Sequence, residues 1–343
     1  MPRSKGLPGR ASTADFGSLL YHIGNRRRVY TAGDVSTQNG NAQGSGDLAG
    51  KWLITGAGGQ LGSVLMRVLA HRDLETIGLT SVEGPQPDVA SCIRGDLTDA
   101  TDLREIVRSH RPAVIVHAAA VTSIQAAYEK PDVTQRVNVD ATRTLVELAA
   151  EIGARIAFTS TDLVFDGSSA PYHETDAVSP LSVYARSKVE AEKIVLAYDR
   201  GVDIRPALMY GLPVVNRPTT FLQQLESLRT GKPLKLFEDE FRTPIWLEDA
   251  AEATRAAAAS DYHGVLHLGG PARMSRLEMG RVMAAALGIT NPPIVPTRQS
   301  DMQFAEPRPA NVSLDSSKFA AEFGTPPGRT MKEAMKSIAT ALT

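Results

Sequence analysis

The stretch KWLITGAGGQLGSVLMRVLAHR, Lys51 to Arg72, constrains the fold more than any other part of the chain. Trp52 to Ile54 is a short apolar run of the kind that forms a buried strand, and Leu61, Val64, Leu65, Val68 and Leu69 recur at helical spacing. Between them stand Gly56, Gly59 and Gly62. Such a turn lets the chain reverse, lets backbone approach a diphosphate with no Cβ in the way, and lets helix pack closely on strand. The unpaired N–H groups of the helix N-terminus, around Gln60 and Leu61, then face the phosphates. Glycine triplets alone are common in a chain with 28 glycines, but a strand before and an amphipathic helix after are the context that dinucleotide binding requires.

A second strand, ETIGLTSVEG, ends in Thr80 and Ser81, with neither an acid in register for the adenosine ribose nor an arginine for a 2′-phosphate. The cofactor expected is therefore NAD(P)H, with NAD versus NADP left open. Glu83 could reach the ribose but reads better as a solvated loop residue. The alternation then repeats. ASCIRGDLTD offers a strand ending at Asp96, ATDLREIVRSH a helix, PAVIVHAAA a strand buried on both faces, VDATRTLVELAAEIG a helix ended by Gly153, and RIAFTSTDLVF the next strand. The fold class expected is α/β, a Rossmann doubly wound parallel sheet, with a smaller C-terminal substrate lobe. Ligands bind such sheets outside the carboxyl ends of the strands, where Asp96, Ala118, Ala119, Ala120 and the Ser160–Thr161–Asp162 cluster fall.

Tyr184 and Lys188 lie four apart on the helix VYARSKVEAEKIVLAY, hence on one face, and that helix follows the strand carrying Thr161. A carbonyl that receives hydride develops negative charge on oxygen. A phenol can protonate it if an ammonium lowers the phenol pKa from about 10. Lys188 would supply that field and hold the nicotinamide ribose, and Thr161 would donate to the oxyanion.

These motifs resemble the extended short-chain dehydrogenase/reductases, and within them the dTDP-4-dehydrorhamnose reductase branch. The resemblance rests on TGAGGQLG at Thr55 to Gly62, GDLTD at Gly95 to Asp99, HAAAVT at His117 to Thr122, STDLVFDG at Ser160 to Gly167, ETDAVSPLSVYARSK at Glu174 to Lys188 and RPANVSLDSSKF at Arg308 to Phe319. It implies a catalytic triad of Thr161, Tyr184 and Lys188. It also implies a pyrophosphate lined by Gly56, Gly59 and Gly62, an adenine flanked by Asp96 and Leu97, and Ala118 to Ala120 beneath the cofactor. Reductases of this branch read Ser-Thr-Asp-Tyr-Val-Phe, with the Tyr near the sugar, where this chain has Leu163. They also carry an Asp or similar polar group near Thr80.

The activity implied is NAD(P)H-dependent reduction of a nucleotide-linked 4-keto-6-deoxy sugar. Two alternatives stay open: a sugar-nucleotide epimerase or dehydratase that retains oxidised cofactor, and a non-catalytic subunit that binds a dinucleotide and a partner enzyme. Thr122, Leu163, Arg242 and Arg308 are candidate substrate contacts. Arg242, Arg308 and Pro244 are expected in loops where a nucleotide diphosphate could find guanidinium partners, although an arginine in a loop is more often a solvated surface group.

Composition bounds the rest. A formal net charge of −1 gives no reason to expect nucleic acid or an anionic membrane as partner, and no apolar run is long enough for a spanning helix. The single cysteine, Cys92, leaves no intrachain disulfide and fits a reducing compartment. A cytoplasmic location is expected, with import through the N-terminal extension left open, and a homodimer is left open too. No metal site is expected. His263 and His267 fall in a strand pattern without the geometry of a helical metal pair, His117 reads as a hydrogen-bonded core histidine, and Asp166-Gly167 reads as a turn. The domains expected are a disordered basic extension and linker over 1–50, an NAD(P)-binding domain over 51–210 with contributions from 240–270, and a substrate-binding lobe over 211–343.

Overall fold

The computed structural model describes residues 49–81, 84, 87, 91–215 and 217–342. The expectations for the basic extension, apart from its last two residues, and for Glu83 lie outside the described residues. Chain order runs β1 (Trp52–Thr55), α1 (Gln60–Ala70), β2 (Thr76–Thr80), β3 (Ser91–Arg94), α2 (Ala100–His110), β4 (Val114–His117), α3 (Ile124–Glu129), α4 (Pro131–Gln135), α5 (Ala141–Ile152) and β5 (Arg155–Thr159). It continues through α6 (Val183–Leu196), β6 (Gly201–Pro206), β7 (Met209–Tyr210), α7 (Thr220–Thr230), β8 (Leu234–Phe237), β9 (Phe241–Arg242), β10 (Ile245–Trp246) and α8 (Leu247–Ala259). The last elements are β11 (Gly264–Leu268), β12 (Met274–Ser275), α9 (Arg276–Ala286), β13 (Ile294–Thr297), α10 (Ser317–Phe323) and α11 (Met331–Leu342).

Seven strands form one sheet in the order β11-β6-β5-β4-β1-β2-β3, and every pairing is parallel. Period-two alternation explains why both faces are apolar. Trp52, Ile54, Val114, Val116, Val202 and Ile204 pack on one side with α1 and α8. Leu53, Ile115, Ile156 and Phe158 pack on the other with α2, α5 and α6. Each such side chain taken wholly out of water is worth about 1.5–3 kcal/mol before chain entropy is subtracted. The doubly wound Rossmann sheet expected from the sequence is thus the architecture observed.

Local chemistry sets the ends of the helices. Asp99 caps α2 by accepting from the N–H groups of Thr101 and Asp102, Ser182 caps α6 by accepting from Ala185 N, and α5 stops at Gly153 with φ 72°. Two expected strands end early. β3 stops at Arg94, leaving Asp96 beyond the sheet, and β5 stops at Thr159, because Thr161 Oγ1 accepts from Leu163 N and bends Asp162–Val164 into a 3-10 turn. α5 begins later than its apolar pattern suggests, since Arg136–Asp140 forms a wider π turn before it.

The C-terminal lobe has its own core. Phe221, Leu225 and Leu228 of α7 meet Met279 and Met283 of α9 and Met331, Met335 and Ile338 of α11. Its strands pair only locally, as β10-β7, β12-β9 and β13-β8. No helix among the described residues is long and apolar enough to cross a membrane.

Candidate active site

Strand order reverses between β1 and β4, and a cleft of about 1300 Å³ opens there at the carboxyl ends of the strands. All the residues expected at the site line it: Gly56, Gly59, Gln60, Leu61 and Gly62; Asp96 and Leu97; Ala118, Ala119 and Ala120; Thr161, Tyr184 and Lys188; and Thr122, Leu163, Arg242 and Arg308.

The glycine turn is built for close approach. Gly56 has φ 68°, and a Cβ on it would sit 2.7 Å from Ala119 N. A Cβ on Gly62 would collide with the Gly56 carbonyl, which itself accepts from Gly59 N at 2.7 Å. α1 starts with no side-chain cap and no acid in its first turn, so an anionic diphosphate meets partial positive charge there. These residues fit the diphosphate of a dinucleotide. At the adenine end, Asp96 Oδ1 accepts from Thr98 N and Thr98 Oγ1, both at 2.8 Å, and those bonds hold the carboxyl below its usual range.

His117 is the core histidine expected. Its Nδ1 lies 2.7 Å from Thr55 Oγ1 and its Nε2 3.0 Å from Thr142 Oγ1. Thr142 gives its own proton to Asn138 O, so it accepts from His117, which fixes the neutral Nε2–H tautomer. Burial, aided by the Lys188 charge, pushes His117 down to about 3. Thr55 in turn accepts from Ala119 N, which fixes the loop beneath the cleft. Asn138 staples the next stretch, bonding both polar groups of Val121 and Ser187 Oγ on α6.

Tyr184 and Lys188 share the cleft face of α6, as their spacing predicts, and Thr161 shares a hydrogen bond with the phenol. The electrostatics differ from expectation. Burial pushes Tyr184 well above its ordinary range, the Thr161 bond opposes this only in part, and the Asp162 charge adds to it. Lys188 is itself pushed down to about 7 by burial, against the pull of Asp203 and Glu192, with its Nζ 3.9 Å from the Phe158 ring centroid. Lys188 therefore holds its proton less firmly than an ordinary lysine, which weakens the field expected of it.

At the far end, Arg308 and Pro244 lie in loops as expected, but Arg242 does not. Arg242 belongs to β9 and is buried, with Asp162 at 3.6 Å and Glu240 at 3.5 Å. Burial raises Asp162 to about 6 despite Arg242. Arg308 stacks on Phe304 at 4.2 Å. Arg276, at the start of α9, lies 3.7 Å from Glu240 and joins the lining; sequence reasoning missed both. Only the Ser275 cap marks that position, and a cap does not reveal which way the next side chain turns. Leu163 packs on the Val164–Phe165–Tyr172 cluster. Asp166 accepts from Ser168 N and Gly167 has φ 88°, the turn expected. His263 stands before β11 and bonds Leu196 O, whereas His267 is buried within it beside Arg205.

The chain is similar to several known proteins. The chain is 32% identical over 298 residues to a dTDP-4-dehydrorhamnose reductase of Mycobacterium tuberculosis, covering 84% of this chain and 91% of that protein. It is 29% identical over 274 residues to "Methionine adenosyltransferase 2 subunit beta" of Mus musculus, covering 78% and 80%. The crystal structure of a dTDP-4-dehydrorhamnose reductase from Clostridium acetobutylicum superposes with a TM-score of 0.76 at 25% identity, covering 85% of this chain and 99% of that one. The model of the RmlD substrate binding domain matches residues 50–343, and the chain belongs to that family.

Proposed function

We propose that the protein is an NAD(P)H-dependent reductase of a nucleotide-linked 4-keto-6-deoxy sugar. The observation that carries this reading is that Thr161, Tyr184 and Lys188 open onto the same cleft as the glycine turn. A reduced nicotinamide cofactor, held by the glycine turn and Lys188, would supply the hydride for the keto carbon. Tyr184 gives its proton to the oxygen, and its raised pKa keeps that proton in place at neutral pH until alkoxide charge develops. Thr161 Oγ1 donates to the same oxygen, and the Lys188 ammonium, when charged, favours the phenolate left behind. Arg242, Arg276 and Arg308 give the far end a surplus of positive charge over Asp162 and Glu240, which suits a nucleoside diphosphate. Leu163 presents an apolar contact to the sugar.

The test is nicotinamide absorbance after mixing the protein with NADH or NADPH and dTDP-4-keto-6-deoxyglucose. A turnover-linked fall supports the reading and shows which cofactor is preferred.

The resemblance to methionine adenosyltransferase 2 subunit beta favours a second reading, a dinucleotide-binding subunit of another enzyme. Stoichiometric co-purification with a partner, and no turnover of any keto sugar nucleotide, would move the weight there.

A further inference from the structure

We infer that Arg217 completes the diphosphate site from the opposite lobe, so that the dinucleotide is held between the glycine turn and a guanidinium from the segment joining β7 to α7. This rests on the dinucleotide reading above and adds a binding residue that no motif of the sequence marks.

Arg217 Nη1 donates to the carbonyl of Gly58, 159 positions away in the chain, at 3.1 Å. The same nitrogen lies 4.0 Å from the place a Cβ of Gly59 would occupy. The guanidinium thus faces the space that the missing side chain leaves open, over the start of α1. Its bond to Gly58 uses one of the five donors of the fork, and both Arg217 and Pro218 line the cleft. The position is held from both sides. Val214 and Val215 are buried before it, and Thr219 is buried after it, where its hydroxyl accepts from Leu222 N to cap α7. An exposed arginine between two such anchors loses less freedom on binding than one on a free loop.

Charge gives the arrangement its purpose. The residues of the turn, Gly56 to Gly62, include no charged side chain, and so offer only neutral donors and partial helix charge to a ligand that carries two formal negative charges in its diphosphate. A guanidinium can bridge two phosphate oxygens in a way an ammonium cannot. Arg217 also ties the C-terminal lobe to the turn, so cofactor binding and lobe position become linked through one side chain.

The test is a set of equilibrium titrations of the full chain with NADPH, NADH and ADP-ribose at several salt concentrations, for wild type, Arg217→Met and Arg217→Lys. The expected result is a roughly fivefold to twentyfold weaker Kd for all three ligands in Arg217→Met, as for loss of a charge-assisted hydrogen bond at a partly solvated site. Arg217→Lys recovers part of it. Arg217→Met also shows a shallower dependence of log Kd on log salt, with melting temperature unchanged, a pattern that a purely structural role would not give. Unchanged affinity in Arg217→Met, or weaker affinity with the salt dependence of wild type, would overturn the inference while leaving the cofactor reading intact. Wild-type protein that binds none of the three ligands would remove both.

Discussion

Tyr184 and Lys188 sit in environments that oppose their expected roles, because burial raises the phenol pKa and lowers that of the ammonium. Tyr184→Phe keeps the ring that fills the cleft wall and loses only the proton donor. Turnover should fall about 100-fold to 10,000-fold, with NADPH affinity within about twofold of wild type. A matching loss of cofactor affinity would contradict the assigned role. Lys188 yields a stability prediction. Its folded pKa of about 7 lies below the ordinary lysine value, so the folded state binds fewer protons than the unfolded state between those values, and stability rises with pH there. The cost of burying the ammonium is therefore largest below about pH 7 and fades toward the ordinary lysine pKa. Lys188→Met should melt several degrees higher than wild type in mild acid, with the gap closing in alkali. A gap independent of pH would show that packing, not charge, sets the difference. The Tyr–Lys spacing was legible in the sequence, but the burial that shifts both groups was not, since it depends on Phe158, Asp203 and Glu192 from other parts of the fold.

Glycines divide by what surrounds them. A Cβ on Gly62 meets backbone that cannot retreat, so Gly62→Ala should destabilise the protein by about 1–3 kcal/mol and abolish measurable dinucleotide binding. Gly153, which ends α5 with φ 72°, has nothing within 4 Å of where a Cβ would sit. Gly153→Ala should cost about 1 kcal/mol through backbone strain alone and leave binding untouched. Chemical denaturation paired with cofactor titration separates the two. The strands through β5 and the helices α1, α2, α5 and α6 were readable because each shows its period and is punctuated by a glycine or a cap, whereas α3 and α4, of 6 and 5 residues, went unread because they are too short to show helical spacing. Much of the lobe beyond them was not, because β7, β9, β10 and β12 span two residues each, too short for alternation to appear. Arg242 looked like a loop residue for that reason. Its place in β9, against Asp162 from a distant turn, is a tertiary fact.

Across the whole molecule, α1 and α8 cover one face of the sheet together, and a buried ion pair between Arg67 and Glu248 joins them. Burial raises Glu248 above the usual carboxylate range even with Arg67 beside it. Arg67→Met would strand that carboxylate, and about 3–5 kcal/mol should be lost. Because the folded pKa lies above the unfolded one, the penalty appears as pH rises through it, so the loss should be larger near about pH 8 than near about pH 5. Equal losses at both would mean that Glu248 stays protonated throughout. The doubly wound plan itself followed from the alternating apolar runs, whereas the meeting of Glu240, Arg276 and Arg217 at one cleft needed the C-terminal lobe folded back over the sheet.

The most direct measurement is nicotinamide oxidation by wild type and Tyr184→Phe, each mixed with NADH or NADPH and dTDP-4-keto-6-deoxyglucose, with cofactor binding followed in the same samples. If Tyr184 is the proton donor of a reductase, wild type oxidises the cofactor and Tyr184→Phe nearly loses that activity, while both proteins bind cofactor. Oxidation that survives in Tyr184→Phe, or bound cofactor that no keto sugar nucleotide oxidises, would contradict that role.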